Sequence, residues 1–118
     1  MSDVALQACI SRHLDHAAMS FRLDEELGTH HGLAWADFVL LTLLDAAGGS
    51  APAPELARAL RTSASRFVLR LLPLEKTGVV ERCAAADGKR RVQLRPQGRR
   101  LLREARETAA QVCGELAR

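Results

Sequence analysis

Apolar residues recur at helical spacing along the first quarter of the chain. Ile10, Leu14, Ala17 and Phe21 share one side, and Leu23 and Leu27 continue the pattern around the acidic run Asp24-Glu25-Glu26. No Pro or Gly interrupts before Gly28, so the spacing predicts a long amphipathic helix over residues 3–27. Gly28 and Gly32 bracket a predicted loop holding His30 and His31. Ala34 to Ala47 is apolar on most of its surface (Trp35, Phe38, Val39, Leu40, Leu41, Leu43, Leu44), the mark of a buried helix. Gly48-Gly49-Ser50 ends it. Pro52 and Pro54 open a short helix from Glu55 to Leu60. Thr62-Ser63 breaks that helix and offers a hydroxyl cap for another running to about Thr77, with Phe67, Leu71 and Leu74 inward. Pro73 removes one hydrogen bond from it, which predicts a kink or loosening near its end.

After Gly78 the period shortens to two. Val79 to Cys83 is expected as a strand, Ala84 to Gly88 as a turn, and Arg90 to Arg95 as the antiparallel mate. Pro96 starts a final helix carrying Leu102, Ala105, Ala109, Val112 and Leu116 at spacings of 3, 4, 3 and 4. That seam finds no partner within the 60–100 region, while Ile10, Leu14 and Phe21 can supply one from either subunit of a two-fold homodimer. The expected fold is mainly α with a small β-hairpin: a winged helix-turn-helix flanked by N- and C-terminal dimerisation helices. It forms a single domain over 1–118, with 1–30 and 96–118 as dimerisation helices and 34–95 as the winged unit.

Composition narrows the class. At 118 residues, 47% apolar and 26% charged, the chain has the make-up of one folded domain. No run reaches the ~18 apolar residues of a membrane span, and Met1-Ser2-Asp3-Val4 does not begin a basic-then-apolar leader. The expectation is a cytoplasmic protein with no membrane partner. Cys9, Cys83 and Cys113 form neither a disulfide framework nor a C-x-x-C metal site. Charge changes the picture more. Residues 1–60 hold three Arg against eight acids, whereas residues 61–100 hold eleven Lys and Arg against three acids. One third of the chain therefore carries the cations, as a face that meets a polyanion would.

Two short helices and a basic hairpin suit double-stranded DNA. The second helix can enter the major groove, where base edges are distinguishable. It offers Ser63, Ser65, Arg66 and Arg70. The hairpin tip, Asp87-Gly88-Lys89-Arg90-Arg91, can follow the backbone into the neighbouring minor groove. Asp87 has two readings of equal weight: it positions a wing cation through a charge-assisted hydrogen bond, or it is the turn residue of an Asp-Gly pair.

The ordered series His31-Gly32-Leu33-x-Trp35-x-x-Phe38-Val39-Leu40-Leu41, Glu55-Leu56-Ala57, Ser63-Ala64-Ser65, Pro73-Leu74-Glu75-Lys76-x-Gly78-Val79-Val80-Glu81-Arg82, the Asp87-x-Lys89-Arg90 wing and Leu94-x-Pro96-x-Gly98 resembles the MarR (multiple antibiotic resistance regulator) family of transcription regulators. The resemblance covers roughly residues 30–102. It implies a homodimer that binds a palindromic operator, usually as a repressor relieved by a small ligand or an oxidant. Several positions depart from the pattern. Leu69 stands where many members carry a basic residue, so base preference does not carry over. The wing is one residue short, so Lys89 and Arg90 compete for the wing-arginine position. Arg95 replaces the usual Thr before the last helix. The chain stops near where many members add another helix, which implies a smaller dimer interface.

Other chemistry has weaker support. His13 and His16 lie three apart on one helix, and His30-His31 follow, but no third ligand sits at a telling spacing, so no metal is expected. The resemblance places Cys9 and Cys113 on the dimerisation helices, where a peroxide-sensing branch keeps a reactive thiol; that branch supports its thiolate with tyrosines, and this chain has none. The resemblance implies a pocket for a small aromatic ligand, for which His31, Trp35 and Phe38 are candidate lining residues, with core packing the alternative. No Ser-His-Asp set, phosphate loop or HExxH occurs, so neither catalysis nor a cofactor is expected. Two competing functions remain. An ArsR-like metal sensor would want cysteines where Ala57 and Ala59 stand. A protein-interaction module would have no use for the cations of 61–100.

Overall fold

The computed structural model describes residues 3–118. Helix α1 spans Asp3–His31 and runs through Gly28 without a break. The predicted loop is thus corrected, and His30 and His31 occupy the last helical turn. One glycine costs a helix only about 1 kcal/mol relative to alanine, and buried Leu27 anchors that turn. The helix stops at Gly32, which takes φ +63° while its N–H bonds the Gly28 carbonyl at 3.1 Å.

Helix α2 (Trp35–Ala46) is the central packing element, with Phe38, Leu40, Leu41 and Leu44 buried. Its first N–H, that of Trp35, donates to Asp24 Oδ1 of α1 at 2.8 Å. The chain then turns into β1 (Ser50–Pro52), a strand absent from the expected hairpin. Its partner lies some forty residues on, with Ser50 opposite Gln93 and Ala51 opposite Val92. Pro52 is tolerated because β1 is an edge strand.

Helix α3 (Ala53–Ala59) and helix α4 (Ala64–Lys76) follow. Pro73 does not end α4, which continues to Lys76, where the Thr77 hydroxyl donates back to the Pro73 carbonyl at 3.0 Å. Pro73 has no N–H to give the Leu69 carbonyl, and both residues lie on the exposed side of the helix. Strands β2 (Val80–Ala84) and β3 (Arg90–Leu94) form the expected hairpin, and β3 is central in the antiparallel order β1-β3-β2. Val92 and Leu94 turn inward onto Leu40, Leu41, Leu44, Phe67 and Leu71 in one core. The winged-helix class is as expected, with three strands in place of two.

Helix α5 (Pro96–Leu116) corrects a second expectation. Leu102, Ala105, Ala109 and Val112 are buried within their own chain, and only Leu116 of that seam is exposed. The heptad stripe packs on α1 and α2, and Leu23 and Leu27 supply the α1 face. Small residues allow the close approach. At Gly98, an added Cβ would overlap the Val79 carbonyl oxygen and lie 2.8 Å from Leu94 Cδ1. The first sixteen residues of α1, 3–18, are exposed throughout. At 1.5 Å per residue that is about 24 Å of solvent-exposed helix.

Candidate nucleic-acid interface

The turn between α3 and α4 is tight. Thr62 N–H reaches the Ala57 carbonyl at 3.0 Å across Arg61, a non-glycine residue at φ +55°. The Arg61 guanidinium bonds the Arg58 carbonyl at 2.9 Å, a local partner that helps hold this left-handed conformation. Ser63 then caps α4: its Oγ accepts the Arg66 N–H at 3.2 Å. The sequence offered Ser63 both as the cap and as a groove-facing residue; the structure shows the cap, and the exposed hydroxyl keeps its own O–H to donate. Ser65 and Arg66 are exposed in the first turn of α4.

Phe67, Leu71 and Leu74 point inward, so the opposite face carries Ser65, Leu69, Leu72, Pro73 and Lys76, with Arg66 on its flank. Lys76 and the two leucines were missed as site residues. The signal was available, since they lie diametrically opposite the apolar stripe at 100° per residue. Arg70 is not a free cation. Its Nη1 lies 3.2 Å from Asp37 Oδ1 on α2. Partial burial lifts the Asp37 carboxyl above the usual range, and the attraction of Arg70 offsets only part of that rise.

The wing is built by its backbone. Asp87 Oδ1 accepts the Lys89 N–H at 3.0 Å, Gly88 takes φ +80°, and Ala85 N–H bonds the Lys89 carbonyl at 2.9 Å. Asp87 therefore fixes the turn and does not hold a side-chain cation, which corrects the first of its two readings. Arg91 is turned back from the tip, with Nε donating to Ser50 Oγ of β1 at 3.0 Å. Arg82 pairs with Glu75 at 3.0 Å, and its hydrogen bonds hold the Glu75 carboxyl below the usual range.

All three acids of the basic segment are thus engaged: Glu75 by Arg82, Glu81 by Arg95, and Asp87 by the wing backbone. Among the described residues, Arg66, Lys76, Lys89 and Arg90 have no acid partner within 4.0 Å and are exposed. A groove of about 350 Å³ separates α4 from the wing, lined by Phe67, Val68, Leu71, Arg82 and Arg90.

The remaining candidates are scattered. His31 Nε2 and Thr108 Oγ1 lie 2.8 Å apart, tying α1 to α5, and His31 lines a cavity of about 410 Å³ with Leu74, Thr77, Val79 and Arg100. Trp35 stacks on Phe38 with ring centroids 5.6 Å apart, and neither lines that cavity. The three are not brought to one pocket. Cys9 and Cys113 are exposed free thiols on different helices. Among the described residues, no three His, Cys, Asp or Glu gather as a metal site, His13 and His16 included.

No protein-family model matches the sequence, and no curated protein matches it significantly. Solved structures do match the fold. AbsC, a MarR family transcriptional regulator from Streptomyces coelicolor, superposes with a TM-score of 0.86 at 18% identity, over 98% of this chain and 80% of that one. Sco3205, a MarR family transcriptional regulator from the same organism solved in complex with DNA, gives 0.87 at 19% identity, over 98% and 74%. The transcriptional regulator BldR from Sulfolobus solfataricus gives 0.86 at 22% identity, over 98% and 85%. The chain has the winged-helix fold of MarR-type regulators.

Proposed function

We propose that this chain is a dimeric, sequence-specific DNA-binding transcriptional regulator of the MarR type, acting as a repressor. The observation that carries the proposal is the charge accounting of the winged unit. The acids of residues 61–100 are engaged, while Arg66, Lys76, Lys89 and Arg90 stand free on the outer face of α4 and at the wing. In this arrangement α4 enters the major groove and Ser65 and Arg66 meet base edges. Lys89 and Arg90 follow the backbone at the minor groove, where they position more than they specify. That Sco3205 was solved in complex with DNA supports the same reading.

Dimerisation belongs to the proposal. Leu6, Ile10, Leu14 and Phe21 form an exposed apolar line along α1, with Leu14 60% and Phe21 65% exposed. A second copy covers that line, and two-fold symmetry sets two α4 helices on successive major grooves. Release by a small ligand is the accompanying regulatory reading; the cavity of about 410 Å³ at His31 and Arg100 is of ligand size.

The test is selection from a randomised duplex library. The expected outcome is an inverted repeat with half-site centres about 10 bp apart. On the selected site, Arg66→Ala should reorder operator variants, whereas Arg90→Ala should weaken all of them alike. Failure to retain any duplex at low salt would leave the winged fold as a protein-interaction module.

A further inference from the structure

The centre of the outer face of α4 is apolar. Leu69 is 66% exposed and Leu72 43%, and both stand between Ser65 and Lys76 at spacings of four, three and four residues. Two leucines in water at this place have no role in the core, because Phe67, Leu71 and Leu74 already fill the inward side. Neither can donate or accept a hydrogen bond, so neither can recognise guanine as a bidentate arginine does. In the major groove, the one apolar group on a base edge is the thymine 5-methyl.

We propose that Leu69 and Leu72 are specificity-determining residues that select thymine methyl groups near the centre of each half-site. The inference rests on the DNA-binding function proposed above. The occupant is argued from charge. The leucine pair shares its face with Lys76 and is flanked by Arg66, neither paired with an acid. Glu75, the only acid of α4, is taken up by Arg82. A protein-docking core of this size is ordinarily depleted of lysine, whereas an apolar contact framed by free cations matches methyl groups framed by phosphates.

The experiment replaces each thymine of the selected operator with deoxyuridine, one position at a time, and measures affinity for the wild-type chain. Burying one methyl is worth about 0.8 kcal/mol, or about fourfold in affinity. Losing one contacted methyl in each half-site should therefore weaken binding about fifteenfold. Leu69→Ala and Leu72→Ala, checked for folding by circular dichroism, should bind more weakly and lose most of their sensitivity to the methyl. Neutral deoxyuridine at every position, or equal sensitivity in the alanine variants, overturns the inference while leaving DNA binding intact. No duplex binding at all would overturn the underlying function and this inference with it.

Discussion

Arg70 and Asp37 show how one contact sets both charge and stability. Burial raises the Asp37 carboxyl, and Arg70 at 3.2 Å compensates only in part. A carboxyl raised on folding contributes stability below its unfolded pKa and loses it as pH rises through its folded value. Ionised Asp37 is thus a net cost near neutrality. Asp37→Asn should lose that pH-dependent cost, so its urea midpoint should gain on the wild type as pH rises from about 3 to 7. The same substitution frees Arg70 beside the interface. Operator affinity should rise, and the salt dependence should steepen by up to about 0.9 if Arg70 then meets a phosphate. Unchanged binding would show that Arg70 lies out of reach of DNA. The residue scale is also where the sequence was most legible. Ser63 was identified as a helix cap from its place before the Phe67-Leu71-Leu74 stripe. The ties that hold Arg70 and Arg82 to acids, and Arg91 to the Ser50 hydroxyl, join different elements and have no local signature.

Among the elements, α4 and the hairpin were readable because their signals are local: a capped period of 3.6 and an alternation of two. Strand β1 was not. Three residues carry little periodicity, and Ser50–Pro52 becomes a strand only by pairing with β3 across the fold. The α5 stripe was seen but misassigned, since a heptad reads the same whether its partner lies in this chain or another. On α1, Leu23 and Leu27 lie about a third of a turn from the Ile10-Leu14-Phe21 line. The first pair takes α5 within the chain, and the line is left for a second copy. Gly98 tests the close packing of α5. Gly98→Ala should gain helix propensity of about 1 kcal/mol yet overlap the Val79 carbonyl and Leu94. Overpacking of this kind costs about 1–3 kcal/mol, so a lowered urea midpoint is expected. A raised midpoint would mean that Val79 and Leu94 can move away from α5 without loss.

For the whole molecule, 51 Å long and 21 Å in its shortest dimension, the issue is what covers the exposed stretch of α1. A helix of sixteen residues is marginal alone in water, and its exposed line asks for a second copy. Leu14→Asp should yield a folded monomer by sedimentation equilibrium, because it places a charge where only another subunit would desolvate it. Val112→Asp, by contrast, should unfold the chain, since Val112 is buried within it. A wild type that sediments only as a 12.9 kDa species at micromolar concentration would remove the dimer from the proposal. The central claim, that the free cations of α4 and the wing bind DNA phosphates and bases, is tested most directly by operator affinity across salt concentration. For the wild type, the logarithm of affinity should fall linearly with that of salt. Arg90→Ala and Lys89→Ala should each reduce the slope by about 0.9. Affinity independent of salt, or slopes unchanged in both variants, would contradict it.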